Sequence, residues 1–289
     1  MLPDGRLHLN HGPIDLIVEA RGEAGEVEAA RDQALARFST ILTELVAELP
    51  MLRMAVIPRG GGLAILSGST ARRMQAAVSP LASQAFITPM AAVAGAVADE
   101  VLTAMLAGRN LSKAYVNNGG DIAIHLGAGE SLTAAIAGAG SGLSDRVTVA
   151  AGDPVRGIAT SGWRGRSHSL GIADAVTVLA RTAAGADAAA TLIANAVDLP
   201  GSPKIGRRPA RELSPDSDLG ARSVTVSVAP LAPTEAEEAL EQGLILAERF
   251  RRAGLIEAAA LFLSRRSRLC GPIGIGSRPM MLSRGSAAA

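Results

Sequence analysis

Ala114-Tyr-Val-Asn-Asn-Gly-Gly-Asp-Ile-Ala-Ile-His-Leu126 places a turn of Asn, Gly and Asp residues between two short apolar runs. Consecutive glycines supply the positive φ that a tight hairpin turn requires. The pattern therefore predicts two strands, 114–116 and 122–126, joined by the turn 117–121.

Short strands and a few helices continue in both directions from this hairpin. Alternating or short apolar runs predict further strands at 6–20 (broken at Gly12-Pro13), 132–136, 146–150, 157–159, 223–228 and 256–263. Helical spacing of apolar residues predicts helices at 26–49, 71–78, 89–106, 186–197 and 234–252. Since no regular strand–helix–strand units appear, the predicted fold class is α+β: a single domain, residues 1–264, of antiparallel sheet packed with helices.

Two segments are predicted to lack regular structure. Residues 200–222 combine Pro, Gly, Ser and charges of both signs, and form the longest predicted loop. Residues 265–289 are basic and contain Gly, Ser and Pro, so we expect a loose C-terminal tail outside the domain.

Composition excludes several classes of protein. The 289 residues are 48% hydrophobic with a net charge of +1, which is opposite to the signature of a disordered chain. Lys and Arg number 28 against 27 Asp and Glu, and aromatics are 2%, so a nucleic-acid partner is not expected. The single Cys270 rules out an internal disulfide, and the first 15 residues lack the apolar core of a signal peptide, so a cytoplasmic location is expected.

One segment resembles a membrane span by length. Residues 74–98 carry no charge. They are interrupted by Pro80 and Pro89 and consist largely of Ala, so a helix in a soluble core is the better interpretation. So much Ala-rich apolar surface also makes a homodimer plausible.

The turn Asn117-Asn118-Gly119-Gly120-Asp121 is the first candidate functional site. Glycines let a backbone approach a ligand closely, and Asp121 can accept a hydrogen bond from a hydroxyl or amide. A plain hairpin with an Asx turn accounts for the same residues. Spacing alone favours the plain hairpin.

The strand end Gly157-Ile-Ala-Thr-Ser-Gly162 is the second candidate site. Thr160, Ser161 and the exposed backbone N–H groups could cradle an anion, with Arg164 or His168 adding charge. A strand-to-loop transition without a ligand explains the composition equally well.

The third candidate lies in a segment of helix-forming residues. Asp187 and Thr191 are four residues apart and therefore share one face of a helix. A carboxylate and a hydroxyl oxygen suit Mg²⁺, which keeps waters and takes further ligands from phosphates. Asp187 could instead cap the helix, with Thr191 as a tolerated hydroxyl.

Other catalytic patterns are missing from the sequence. The four histidines form no HExxH pair, which argues against a catalytic zinc site. No Gly-x-Ser-x-Gly elbow occurs, and Cys270 lies in the predicted tail, so a Ser or Cys nucleophile is not expected.

In order along the chain, these stretches resemble the ApbE-like superfamily, whose best-known members are FAD:protein FMN transferases. The helix signature G-x-A-K-G-x-x-x-D is similar to Ala91-Ala-Val-Ala-Gly95-Ala-Val-Ala-Asp99, and N-x-G-G-D matches Asn117–Asp121. S-T-S-G is similar to Ala159–Gly162, and A-D-A-x-x-T matches Ala186–Thr191. The resemblance covers residues 6–263 and is nearest to a soluble, uncharacterised branch.

The resemblance implies one α+β unit with a flavin nucleotide in a cleft and Mg²⁺ beside its pyrophosphate. It implies Asp187 and Thr191 as metal ligands, with His168 joining them as catalytic residues. The implied cofactor-binding residues are Asn117, Asn118, Gly119, Gly120, Asp121, Thr160, Ser161, Gly162, Asp174 and Gly95. The implied reaction moves FMN from FAD to a threonine of a protein substrate.

A second function remains open beside this one. Ala94 stands where the family signature has lysine, and the only aromatics near the motifs are Tyr115 and Trp163. These differences leave room for a non-catalytic module that binds a flavin, another small ligand or a partner.

Overall fold

The computed structural model describes residues 1–58, 65–136 and 145–272. Twelve strands lie in these residues: β1 (Leu7–His11), β2 (Ile14–Gly22), β3 (Leu111–Asn118), β4 (Asp121–Leu126), β5 (Ser131–Ile136), β6 (Asp145–Ala150), β7 (Gly157–Ser161), β8 (Ala175–Ala180), β9 (Ile205–Pro209), β10 (Ser223–Val228), β11 (Ala258–Leu263) and β12 (Arg266–Cys270). The α-helices are α1 (Ala24–Leu52), α2 (Ser69–Val78), α3 (Val93–Leu106), α4 (Ala183–Ala196), α5 (Ala210–Leu213) and α6 (Pro233–Arg252). Short 3₁₀ turns occupy Ser79–Leu81 and Pro89–Ala92.

The main sheet has eight strands in the order β1-β2-β3-β4-β7-β8-β11-β12. All its pairings are antiparallel, and two separate hairpins, β5–β6 and β9–β10, stand outside it. The predicted α+β class and the hairpin at 114–126 are therefore confirmed.

The sheet is covered on both faces, and alternate residues of each strand serve different cores. In β8, Val176 and Val178 pack into the larger cluster with the helices, whereas Leu179 packs into a smaller cluster with the β5–β6 hairpin. Side chains alternate across a strand, so this division identifies a helix face and a hairpin face along the whole sheet.

Helices α3 and α4 cross closely on the helix face, because Gly95 has no side chain. A Cβ at Gly95 would overlap the carbonyl oxygen of Ala183 in the first turn of α4. Asp99, one turn further along α3, accepts hydrogen bonds from the N–H groups of Ala183 (3.0 Å) and Ala184 (2.9 Å). These donors have no partner within their own helix, so Asp99 caps α4 from a neighbouring helix.

The segment Pro89–Leu106 is apolar and long enough to cross a membrane by length and composition alone, with 56% of that window buried in the structure. Its one buried glutamate, Glu100, pairs with Arg37 of α1 at 3.0 Å and Arg73 of α2 at 2.6 Å. The segment thus packs among α1, α2 and α4 as a core helix, as the sequence predicted.

Two predictions of irregular structure are wrong in part. Within 200–222, residues Ile205–Pro209 form β9 and Ala210–Leu213 form α5. Within the predicted tail, Arg266–Cys270 form β12, which pairs with β11. Strand pairing overrides a local composition typical of loops: β9 pairs with β10 across residues 210–222, and β12 pairs with β11 across the turn Ser264–Arg265. The residues from 273 onward lie outside the described part, and the domain limits stay a prediction.

Candidate functional site

Asp187 lies on α4 where that helix crosses α3. One of its carboxylate oxygens accepts a hydrogen bond from the Gly95 N–H at 3.0 Å. Burial raises the pKa of Asp187 well above its usual range, and the nearby charges of Asp121 and Asp99 raise it further. At this crossing, burial and the neighbouring carboxylates disfavour the ionised form of Asp187.

Asp121 begins β4 and faces the same helix layer. It is 9% exposed, and its carboxylate accepts a hydrogen bond from the Thr160 N–H of β7 at 3.2 Å. Burial raises the pKa of Asp121 to about 7, while the positive charge of Arg166 acts in the opposite direction. Asp121, which is buried, and Asp187, which is half-buried, therefore form a pair of like charges contributed by the sheet and a helix.

Asn118 links the hairpin turn to the start of α3. Its side-chain amide donates to the carbonyl oxygen of Ala94 at 3.1 Å, and the residue is 5% exposed. This bond holds the end of β3 against the helix turn that contains Gly95. Asn118 therefore positions the backbone around Asp187, a role that the motif alone does not reveal.

Strand alternation divides the predicted binding residues between the two faces of the sheet. Asn118 and Asp121 share the helix face with their apolar neighbours, whereas Asn117 falls on the hairpin face. In β7, Ser161 falls on the helix face, and Thr160 falls on the hairpin face, where its hydroxyl meets that of Thr177 at 2.8 Å. The two motifs do not present all their side chains to one cleft.

A shallow depression of about 260 Å³ lies on the hairpin face beside the turn. It is lined by His8, Asp15, Ile17, Asn117, Gly119 and Gly120. The His8 imidazole and the Asp15 carboxylate lie 2.6 Å apart on its wall, within hydrogen-bond distance. Because Asp187 lies on the helix face, the depression and the carboxylate pair are separate features.

The turn residues Gly119 and Gly120 both have positive φ, 64° and 116°. Asn117 accepts a hydrogen bond from the Gly120 N–H at 2.8 Å, which is the Asx-type contact expected of a plain hairpin. The glycines are required by the turn itself, whatever they bind.

Gly162 and Asp174 lie next to each other and stabilise the end of the sheet. A Cβ at Gly162 would overlap the Asp174 carbonyl oxygen. The Asp174 carboxylate accepts from the Ser264 N–H at 2.8 Å and pairs with Arg164 at 3.3 Å. Ser264 and Arg265 form the β11–β12 turn with positive φ, so Asp174 is occupied with holding that turn.

Thr191 lies one turn beyond Asp187 on α4 and is partly exposed. Further along the helix, Asn195 accepts from the Leu170 N–H at 2.9 Å and from the Ser169 hydroxyl at 3.2 Å. In the described ranges, no group of three or more His, Cys, Asp or Glu side chains is placed to hold a metal ion. In the described residues, Asp187 and Asp121 are the carboxylates that interact at this site.

His168 faces a segment of residues 205–228, which we call the strap. The strap comprises β9, α5, the loop 214–222 and β10. The His168 imidazole lies 3.3 Å from the Ser214 hydroxyl, and the Thr225 N–H donates to the Ser169 carbonyl at 2.9 Å. These contacts tie one end of the strap to the chain beside α4.

The other side of the strap reaches the start of α3. The buried Thr88 hydroxyl donates to the Asp218 carboxylate at 2.5 Å. The Arg222 guanidinium stacks on the Phe86 ring, 3.2 Å from its centroid. The strap thus bridges the segment before α3 and the segment beside α4.

Sequence inspection missed three residues of this region. Asp99, Arg166 and Asn195 each act on a partner far away in the chain, so their roles have no local signal. The G-x-x-x-D spacing from Gly95 to Asp99 belongs to the helix signature of the family but does not indicate a cap for another helix.

A family model and curated relatives match a large part of this chain. A family model described as AbpE bacteria matches residues 1–269. A UPF0280 protein of Methanothrix thermoacetophila is 34% identical over 192 residues, 65% of this chain and 75% of that protein. A UPF0280 protein of Methanothermobacter thermautotrophicus is 39% identical over 126 residues, 43% of this chain and 48% of that protein.

Two solved structures align over most of their length. The apo flavinyl transferase ApbE of Pseudomonas stutzeri has 16% identity and a TM-score of 0.39, covering 89% of this chain and 91% of that one. A point mutant of the flavin transferase ApbE from Vibrio cholerae has 15% identity and a TM-score of 0.39, covering 92% of this chain and 96% of that one.

Proposed function

This chain belongs to the AbpE bacteria family, and we propose that it binds the pyrophosphate of a flavin nucleotide with a divalent cation and cleaves or transfers that nucleotide. The observation that carries the proposal is the pair Asp121 and Asp187, held where the sheet meets α4 by the Thr160 and Gly95 N–H groups. The family motifs are the reason for proposing a flavin nucleotide as the ligand. The carboxylate pair is the reason for proposing a cation site.

The donor set suits Mg²⁺. This ion usually binds proteins through one or two carboxylates, keeps several waters and takes its remaining ligands from phosphates. The neighbouring side-chain charges that act on Asp187 are two further carboxylates, Asp121 and Asp99. A cation at Asp121 and Asp187 would relieve this repulsion, and Thr191 is positioned on the same helix to add a hydroxyl oxygen.

Most of the described chain's contribution is positioning. Gly95 holds the Asp187 carboxylate through its N–H, Thr160 does the same for Asp121, and Asp99 fixes the α4 turn that begins just before Asp187. A bound divalent cation would neutralise charge developing on the phosphates and orient the leaving group.

The transfer we propose is a substitution at the FMN phosphorus of FAD. A hydroxyl oxygen, from water or from a threonine of a protein substrate, forms a new bond to that phosphorus. The bond from phosphorus to the oxygen of AMP breaks, AMP leaves, and the hydroxyl proton is released to solvent or to a base. The products are FMN, free or attached to protein, and AMP.

The test is incubation of the purified protein with FAD and Mg²⁺, with FMN, AMP and flavinylated protein followed by mass spectrometry. We expect AMP to appear with wild type, to fall at least tenfold with Asp187→Asn, and to be unchanged with Asp32→Asn on the exposed face of α1. No AMP and no FAD-dependent thermal shift in any condition would contradict the proposal.

A second candidate is a binding module without turnover. Ala94 leaves the signature helix without its lysine, and Tyr115 falls on the hairpin face, where its hydroxyl meets Arg6 at 3.5 Å. FAD-dependent stabilisation without release of AMP would favour this function. The cytoplasmic location and the homodimer stay predictions of the sequence.

A further inference from the structure

Arg166 lies directly on the Gly119–Gly120 turn. A Cβ built at Gly119 would overlap a terminal nitrogen of the Arg166 guanidinium, so the arginine packs on the backbone of the turn. Its positive charge also acts on the buried Asp121 carboxylate. Arg166 therefore lies at the end of the sheet, next to the carboxylate pair and open to solvent.

The guanidinium of Arg166 forms no hydrogen bond or ion pair with the residues that the structure describes. Other arginines nearby are occupied. Arg164 pairs with Asp174 and stacks on Trp163 at 4.6 Å, and Arg207 pairs with Asp198. The N–H donors of the Arg166 guanidinium therefore have no acceptor among the described residues.

The same loop carries a second unpaired donor. The Trp163 indole N–H is buried without an acceptor among the described residues. Buried donors are normally satisfied, and one without a protein partner is a candidate for ligand contact. The loop 163–166 thus contributes two donors and no neighbouring acceptor for them.

We infer that Arg166 binds the phosphate groups of the ligand directly, at the Gly119–Gly120 turn beside Asp121. The inference rests on the proposed function for the identity of the ligand. A guanidinium binds phosphate oxygens through two parallel hydrogen bonds, which a single ammonium group cannot reproduce. It would supply the positive charge that an anionic ligand needs next to two carboxylates.

The test compares wild type with Arg166→Gln, Arg166→Lys and the control Arg181→Gln, whose exposed side chain pairs with Glu257, using calorimetric binding of ADP with Mg²⁺. Adenosine serves as the ligand without phosphate. Loss of one charge-assisted contact predicts about ten- to a hundredfold weaker ADP binding for Arg166→Gln. We expect an intermediate loss for Arg166→Lys, a change within about twofold for Arg181→Gln, and unchanged adenosine binding for every variant.

Salt dependence gives a second readout. Removal of an exposed charge that contacts phosphate weakens the effect of salt on ADP affinity, so Arg166→Gln should respond less to salt than wild type. Because Arg166 is exposed, all variants should keep the wild-type melting temperature.

The outcomes separate the inference from the proposed function. FAD binding that is identical in wild type and Arg166→Gln overturns the inference and leaves the flavin proposal standing. If the protein binds ADP in an Arg166-dependent manner but does not bind FAD, the inference is supported and the proposal of a flavin ligand is contradicted. Wild type that binds neither ADP nor FAD overturns both.

Discussion

The negative charge of Asp121 raises the pKa of Asp187, although the two carboxylates come from different layers of the fold. Burial already disfavours the ionised form of each side chain. Two like charges that are shielded from solvent lower the stability of the folded state, unless a bound cation or a proton offsets their repulsion.

Divalent cation binding should depend on this pair. Asp187→Asn removes one carboxylate charge while keeping the shape of the side chain, so we expect Mn²⁺ affinity to fall at least tenfold, as measured by calorimetry. Asp121→Asn should also weaken binding, and Asp32→Asn on α1 should leave it unchanged. Equal Mn²⁺ affinity in wild type and Asp187→Asn would contradict the proposed cation site.

Stability without metal should fall as pH rises through the acidic and neutral range. The pKa of Asp121 is raised from 3.8 to about 7 in the folded state, so between these values the folded chain binds more protons than the unfolded chain. The cost of the charged form is absent below pH 4 and fully present above pH 7. Burial shifts the pKa of Asp187 in the same direction.

Asp121→Asn removes this cost, because the amide keeps an oxygen for the Thr160 N–H and carries no charge. We expect a gain in melting temperature of roughly 3–10 °C at pH 8 in EDTA, shrinking towards zero at pH 4. A gain of equal size at both pH values would show that ionisation of Asp121 is not its cause. Mg²⁺ should reduce the gain at pH 8, since the cation stabilises only wild type.

Asp99 should be important for stability rather than for ligand binding. Asp99→Ala leaves the Ala183 and Ala184 N–H groups without an acceptor, and we expect a loss of about 1–3 kcal/mol in the free energy of unfolding by urea titration. Asp32→Ala on exposed α1 surface is the control, with an effect within about 0.5 kcal/mol. A matching effect in both variants would exclude the cap.

Gly95→Ala should force α3 and α4 apart. The added Cβ would overlap the Ala183 carbonyl, and backbone cannot move aside easily, so we expect a loss of more than about 2 kcal/mol. Gly185→Ala in α4 is the matched control, because its Cβ would meet only the Thr182 side chain at 3.0 Å. If both variants are equally stable, the close crossing is not required.

The strap should open more readily when its contact with Thr88 is removed. Asp218→Ala deletes the acceptor of the Thr88 hydroxyl, and hydrogen exchange of amides 211–222 should accelerate about three- to tenfold. Arg208→Gln, which removes an exposed pair with Glu212 inside the strap, should leave these rates unchanged. Unchanged exchange in Asp218→Ala would show that the other contacts hold the strap alone.

Local sequence was sufficient for some features of this fold. Turn chemistry located the hairpin at 114–126, and four-residue spacing placed Asp187 and Thr191 on one helix. A strand period of two implies that Asn117 and Asn118 point to opposite faces, but nothing local indicates which face the helices cover. Contacts such as Asp99 with α4 or Arg166 with Gly119 join residues about 50 to 85 positions apart, and only the tertiary structure reveals them.

β8 and β11 are buried on both faces and pair with each other, although about 80 residues separate them in the chain. During synthesis, β3 and β4 can pair as soon as both have emerged, because only the turn Gly119–Gly120 separates them, whereas β8 must wait for β11. In that interval β8 presents an apolar edge with unpaired backbone groups, which is the kind of surface that aggregates. The last strands therefore act as the closing edge of the nascent sheet, and a chain shortened before residue 258 should accumulate as insoluble protein.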